Sequence, residues 1–284
     1  MAESPEKQIS GGYKLKLMRL IYAVVAMVAV IVITVLIAAF SASPVQNTSV
    51  GNGWHQVVGL QPFTVGNQLY VTFIGIESCQ FCAAERYAIF DALSNFGNWT
   101  YYGKMVSLNT LPVENLTTGA ESASDAIFYK AGEGDWTLNF LATHLSYTSD
   151  YIDFSSAETL NNGGSALQSP SAIQSSYLNK YDPAGSVPFT IIGGNFYEVG
   201  AADSLVSTGT PIICFQNVTK CTPSTGYMPD YIISQFNLTG SAINLGMTEE
   251  ADYISALICF DINNAAPVCS SSAVSSLESN IVKS

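Results

Sequence analysis

Basic side chains are scarce in this 284-residue chain: Lys and Arg number 10 against 22 Asp and Glu, and the four charged types together make up only 11%. Beyond residue 40 only Arg86, Lys104, Lys130, Lys180, Lys220 and Lys283 remain. Non-specific nucleic-acid binding needs several Lys or Arg to displace counterions from phosphates, so that function class is excluded. Histidine is nearly missing too. His55 and His144 stand without a Ser nucleophile elbow or an H-E-x-x-H helix, so both are read as surface or packing residues. Gly97 to Lys104 imitates a phosphate-binding loop, but five residues separate its glycines instead of four, and Met105 stands where Ser or Thr would meet magnesium. Disorder is excluded by the opposite signature, 48% hydrophobic residues with few charges.

The hydropathy has one concentrated source. Residues 20–40 read LIYAVVAMVAVIVITVLIAAF, an uncharged, proline-free run of 21 residues, long enough to cross a bilayer core as a helix. Lys7, Lys14, Lys16 and Arg19 flank it on the amino side, and no basic residue follows until Arg86. The positive-inside rule therefore expects residues 1–19 in the cytoplasm and the rest outside, a single-pass cell-membrane protein. A cleaved signal peptide is the competing reading, given Ala39, Ser41 and Ala42, but its apolar region is normally shorter, about 7 to 15 residues. Counted beyond residue 40, six basic residues face 20 acidic ones, a formal charge of −14.

Two features agree with an exterior location. Sequons for N-glycosylation occur at Asn47, Asn98, Asn115, Asn217 and Asn237, none with Pro in the middle. The six cysteines, an even number, all follow the apolar run, as expected where disulfides persist. Sequence proximity favours Cys214 with Cys221 and Cys259 with Cys269 as structural pairs. A sequence pI near 4.4 and a hydroxyl-rich composition would suit an acidic exterior.

Residues 41–53 have linker composition, and the folded region is expected over 54–284. Leu69 to Gly75 (LYVTFIG) reads as a central strand buried on both faces. A helix is expected after it to about Phe96, with Ala83, Ile89, Phe90, Leu93 and Phe96 on one stripe and Gly97 ending it. Lys104 to Leu108 reads as a strand. Helical patterning is expected over Asp135 to Tyr147 and Ser171 to Tyr181. Val187 to Ile192, Gly193-Gly194 and Asn195 to Val199 form a hairpin signal. Three further helices are expected: one opened by Pro229, one from Thr248 as N-cap to Phe260, and one over Ser270 to Ile281. Glu249, Glu250 and Asp252 are accounted for by the dipole of the second.

The sharpest chemical feature is Cys79-Gln80-Phe81-Cys82, between the buried strand and the helix it opens. A Cys at a helix amino terminus meets unpaired N–H groups and the positive dipole end, which favour its thiolate. A second Cys one turn later is near enough to attack a mixed disulfide formed by the first. Cys79 is then the nucleophile and Cys82 the resolving thiol. A permanently closed disulfide and half of a zinc site are the other readings. Zinc wants four thiolate or His ligands, and Cys214-Cys221 and Cys259-Cys269 lack knuckle spacing, so no metal or other cofactor is expected. Glu77 is open to tuning Cys79 or to being a solvated carboxylate.

FIGIESCQFCAAERYAIFDALSNFG resembles the active-site strand and helix of the thioredoxin superfamily. It is similar above all to a poorly characterised family of membrane-anchored, thioredoxin-like archaeal and bacterial proteins that bear a domain of unknown function, in which C-x-x-C is followed by A-A-E-R. Cys79, Cys82, Ala83, Ala84, Glu85 and Arg86 carry this likeness. Ser186-Val187-Pro188-Phe189 sits where thioredoxin-like proteins place a cis-proline loop, which implies a cis bond before Pro188 and backbone hydrogen bonds from Val187 to a bound extended peptide. The Gln-Phe dipeptide between the cysteines matches neither the Gly-Pro of thioredoxins nor the Pro-His of periplasmic oxidases, so no redox direction is implied. About 105 residues separate Cys82 from Pro188, and by analogy with secreted oxidases and isomerases a helical insertion is expected at 109–182.

The resemblance implies an α/β, thioredoxin-like fold with that insertion, preceded by one transmembrane helix. The implied function is a membrane-anchored thiol-disulfide oxidoreductase, acting on the cysteines of exported proteins or with a membrane redox partner. The alternative is a non-catalytic, glycosylated thioredoxin-fold binding or scaffold module of the cell envelope.

Overall fold

The computed structural model describes residues 47–112, 127–131, 135–160, 164–207 and 233–281. Among them no helix is long and apolar enough to cross a membrane. The expected anchor at 20–40 and its flank at 1–19 lie outside the described residues, as does Pro229 itself, but the described residues 233–236 that follow it are helical, as expected.

In chain order the elements are strands β1 (Asn47–Gly51), β2 (Trp54–Val57), β3 (Thr64–Val65) and β4 (Gln68–Gly75), helix α1 (Gln80–Ser94), then β5 (Gly97–Tyr101) and β6 (Lys104–Val106). Strands β7 (Phe128–Ala131), β8 (Asp135–Leu138), β9 (Leu145–Ser149) and β10 (Ile152–Glu158) follow, then α2 (Ala172–Tyr181), β11 (Phe189–Ile192) and β12 (Phe196–Val199). The described chain closes with α3 (Asp203–Ser207), α4 (Ala242–Asp261), a 3-10 turn at Pro267–Ser270 and α5 (Ser272–Glu278). The fold is mixed α/β.

The apolar run at the start of the fold does become the centre of the main sheet, whose order is β1-β2-β12-β11-β4-β10 with β3 turned back onto β4. Strand β4 is buried from Leu69 to Gly75. It pairs in parallel with β10, from Leu69↔Ile152 to Gly75↔Glu158, and antiparallel with β11 on its other side. A parallel neighbour demands a crossover, and α1 begins it. Alternation along β4 divides the core: Leu69, Val71 and Phe73 join the large cluster with α1 and α4, whereas Ile74 joins a smaller one with Phe189, Ile191 and Tyr197, against which Tyr177, Leu178 and Tyr181 of α2 pack. Helices therefore cover both faces of the sheet.

Helix α1 is buried on nearly every side, from Cys82 to Leu93, except at Asp91. One apolar stripe is too narrow a description. Four alanines, at positions 83, 84, 88 and 92, allow close approach to α4, to β5 and to β8, where Thr137 Oγ1 donates to the Ala83 carbonyl at 3.4 Å. The helix ends at Ser94, capped by Asn95, and Gly97 opens β5.

The largest correction falls between residues 109 and 182. Its described residues hold β7 to β10 and the single helix α2, so the expected helical insertion is mainly β-structure. Asp135 to Tyr147 divides into β8, which pairs with β7, and β9, which pairs with β5 in a second sheet ordered β6-β5-β9. Leu145 and Tyr147 alternate along β9 with the more exposed Ser146 and Thr148, a period-two signal that the helical reading missed. Trp99 of β5 organises the space between this sheet and α1, stacked on Phe90 at 4.7 Å and on Phe140 at 5.6 Å. Helix α2 follows the expectation, opened by a capping box in which the Ser171 N–H donates to Gln174 Oε1 at 2.8 Å and the Gln174 N–H to Ser171 Oγ at 3.2 Å.

Three boundaries also move. Residues 47–51, read as linker, form β1 and pair with β2. Helix α4 begins at Ala242 with Ser241 as its N-cap, its Oγ accepting from the Asn244 N–H at 3.0 Å; Thr248 lies inside the helix and receives the Asn244 side-chain amide at 3.3 Å. Gly246 hid this earlier start. It is buried, and its carbonyl accepts from Ser204 Oγ at 3.0 Å. The final helix is shorter than expected and is preceded by the 3-10 turn. The hairpin of β11 and β12 agrees with the sequence reading, with Gly193 (φ +57°) and Gly194 (φ +72°) supplying its left-handed turn.

Candidate active site around Cys79 and Cys82

Strand direction gathers the site. Because β4 and β10 are parallel and β11 is antiparallel to both, the end of β4, the end of β10 and the start of β11 meet at one edge of the sheet. Cys79 follows the first, Glu158 closes the second and Pro188 precedes the third.

Cys79 is the N-cap of α1, in an extended conformation, and its Sγ accepts the Cys82 backbone N–H at 3.3 Å. The Cys79 thiol lies 4.0 Å from the Val187 carbonyl oxygen, and the Val187–Pro188 peptide bond is cis. Both cysteines are free thiols, Cys79 half-buried and Cys82 buried. A hydrogen bond from the Cys82 side chain, the nearby amides and the Arg86 charge together outweigh burial and bring the Cys79 pKa down to about 7. Burial, followed by the hydrogen bond to Cys79, pushes Cys82 well above the ordinary thiol range. One turn of helix thus presents a near-neutral, accessible thiol beside a protected one.

A measurable consequence follows from the leading cause. Alkylation of Cys79 by iodoacetamide should rise with pH about a midpoint near 7, while Cys82 stays unreactive in the folded protein. Cys82→Ala removes the thiol donor and should move that midpoint upward, towards that of an ordinary thiol. Mass-spectrometric alkylation rates across pH check this, and an unchanged midpoint would refute the assigned cause.

Arg86 braces the same loop from below. Its Nε and Nη2 donate to the two carboxylate oxygens of Glu158, each at 2.8 Å, and Nη2 also donates to the Ile76 carbonyl at 3.0 Å. Both charged side chains are fully buried, and the Arg86 guanidinium lies 5.4 Å from the Phe73 ring centre. Glu77 is buried too, contrary to the solvated reading, and its backbone N–H donates to the Leu160 carbonyl at 3.0 Å.

Residues 56–260 match the sequence model of a domain of unknown function, DUF929. The chain belongs to the DUF929 family. No curated protein and no solved structure matches it. The matched span carries the complete constellation of Cys79, Cys82, Arg86, Glu158, Val187 and Pro188, along with the core of the main sheet.

Outside that constellation, the DUF929 chain joins Cys259 to Cys269, which ties the end of α4 to the turn after it. Cys214 and Cys221 lie outside the described residues, as do the sequons at Asn115 and Asn217. Asn47, Asn98 and Asn237 are exposed, and the Asn237 side-chain amide donates to the Ile233 carbonyl at 2.8 Å. The two histidines pack on aromatic rings, His55 on Tyr197 at 5.1 Å and His144 on Tyr102 at 3.9 Å. Residues 97–106 form the hairpin of β5 and β6.

The sequence reading missed a set of buried carboxylates. Glu250, attributed to a helix dipole, lies in the third turn of the longer α4, fully buried, and accepts from Trp54 Nε1 at 2.9 Å and Asn52 Nδ2 at 2.6 Å. Glu85 and Glu198 are equally buried beside it. One signal was present in the sequence, a Glu inside the apolar strand of Phe196 to Val199.

Proposed function

We propose that the protein is a thiol-disulfide oxidoreductase of thioredoxin-like fold, acting outside the cell on cysteines of exported proteins and anchored by residues 20–40. The observation that carries this reading is the pairing of a half-buried, acidified Cys79 at the head of α1 with a buried Cys82 one turn later, beside the Val187 carbonyl. Sheet order supports the fold assignment: β10-β4-β11-β12, one parallel pair beside an antiparallel hairpin with α1 leaving the first strand, is what a thioredoxin-like core calls for.

In the reducing direction, the Cys79 thiolate attacks one sulfur of a partner disulfide, forming a mixed disulfide and releasing the other partner sulfur as a thiolate that takes up a proton. Cys82 then loses its proton and attacks Cys79 Sγ, which frees the second partner thiol and leaves a Cys79–Cys82 disulfide. The oxidising direction runs the same steps backwards. An extended partner segment beside Val187 would find the backbone groups that the cis-proline loop offers.

The test is a trap. Full-length Cys82→Ser, expressed in its host, should accumulate reductant-sensitive mixed disulfides that vanish in Cys79→Ser, because the second attack is blocked. No such adducts, together with a Cys79–Cys82 bond that resists mild reductant in the wild type, would sink the enzyme reading in favour of a disulfide-stapled binding module.

A further inference from the structure

Three buried glutamates have no part in the thiol exchange. Glu85 comes from α1, Glu198 from β12 and Glu250 from α4, and their relative exposures are 0%, 1% and 0%. One carboxylate oxygen from each lies within 4.8 Å of the other two. Oxygens around a single hard cation, bonded at about 2.0 to 2.6 Å, stand within about 5 Å of one another, so the spacing is that of ligands sharing one ion.

The second observation is Glu198 itself. Neither of its oxygens accepts a hydrogen bond from a described residue, although both are buried. A carboxylate in that position is costly unless a proton or a cation neutralises it. The further charged groups that bear on the cluster are acidic: Asp203 of α3 acts on Glu198, and Glu249, next to Glu250 on α4, acts on Glu250. Glu85 has the Ala202 backbone beside it. The buried Arg86 guanidinium is engaged with Glu158.

Glu250 is held differently. With Trp54 and Asn52 donating to its two oxygens, the carboxylate is fixed in orientation and keeps a lone pair on each oxygen, as outer partners do for metal ligands. The Asn52 amide is itself oriented, its Oδ1 accepting the Ser204 N–H at 2.7 Å. Gly53 (φ +89°) borders the cluster where a Cβ would stand 2.8 Å from Glu198 Oε1, so the absence of a side chain leaves that oxygen unobstructed.

We propose that Glu85, Glu198 and Glu250 form a binding site for one hard divalent cation of the calcium or manganese type. An all-carboxylate donor set without sulfur or imidazole disfavours soft metals. Magnesium, which sheds its waters reluctantly, fits a dry cluster less well. A bound ion would join α1, the helix that carries Cys79, to β12 and α4.

The test uses the purified full-length protein in detergent, stripped with chelator at neutral pH and then titrated separately with calcium, manganese and magnesium chloride. Calcium or manganese should raise the unfolding temperature in a concentration-dependent way and remain bound at one equivalent after desalting, as measured by elemental analysis. Glu198→Gln, nearly isosteric and relieved of one buried charge, should fold and lose about tenfold or more in affinity. Absence of both the thermal shift and retained metal in folded wild-type protein would overturn the proposal and leave protons as the neutralising species. So would affinity undiminished in both Glu198→Gln and Glu85→Gln, which would put the ion elsewhere.

Discussion

At about pH 8 with divalent cations chelated, the protein should be about 4 kcal/mol less stable than near pH 4.5, through Glu85 alone. Burial raises the Glu85 pKa from 4.5 to about 8. Below the unfolded value, Glu85 is protonated in both states and has no effect on the balance. As pH rises from there, the unfolded chain ionises at Glu85 while the folded one holds its proton, so stability declines until the folded group titrates as well. Glu198 and Glu250 are raised in the same direction by burial and by mutual repulsion. Asp261, raised to about 7 by burial, and Asp91, raised to about 6 by burial and by Asp252, add to the decline at lower pH.

Urea unfolding midpoints between pH 4.5 and 8 in chelator check this, and Glu85→Gln, which has no proton to lose, should flatten the profile. A stability that stays level or climbs across the window would contradict the assignment. Calcium or manganese, on the proposal above, should restore stability at the upper end.

Arg86→Met should cost about 3 to 5 kcal/mol, because it removes the guanidinium that neutralises the buried Glu158 carboxylate. Glu158→Leu should cost a similar amount by removing the carboxylate that neutralises the buried guanidinium. The double variant should cost much less than the sum, since the charges disappear together and an apolar pair can fill the space. Chemical denaturation of the full cycle reads the coupling. Single variants that each cost less than about 1 kcal/mol would mean that the pair is not the brace described here. The effect also reaches the thiols: Arg86 contributes to the lowered Cys79 pKa and holds the Ile76 carbonyl, so Arg86→Met should shift Cys79 alkylation to higher pH.

The residues legible in the sequence were those whose signal is local. The C-x-x-C at a strand-to-helix junction, the buried run of β4, the helical segment of α2, the glycine turn of β11 and β12 and the Cys259–Cys269 pair each depend on neighbours a few residues away. The strands between residues 128 and 158 were not legible, because β9 and β10 take their partners from β5 and β4, far back in the chain, and short mixed segments read equally well as helix.

By itself, then, the sequence determined the thiol pair, the helix that presents it, and the excess of acid over base. Tertiary structure decided which acids matter. Glu85 and Arg86 are adjacent on a buried helix, yet one turns towards Glu198 and Glu250 and the other towards Glu158. Charge is written in the residue, whereas its cost is set by which distant side chains exclude water around it, and that is known only once the chain has closed on itself.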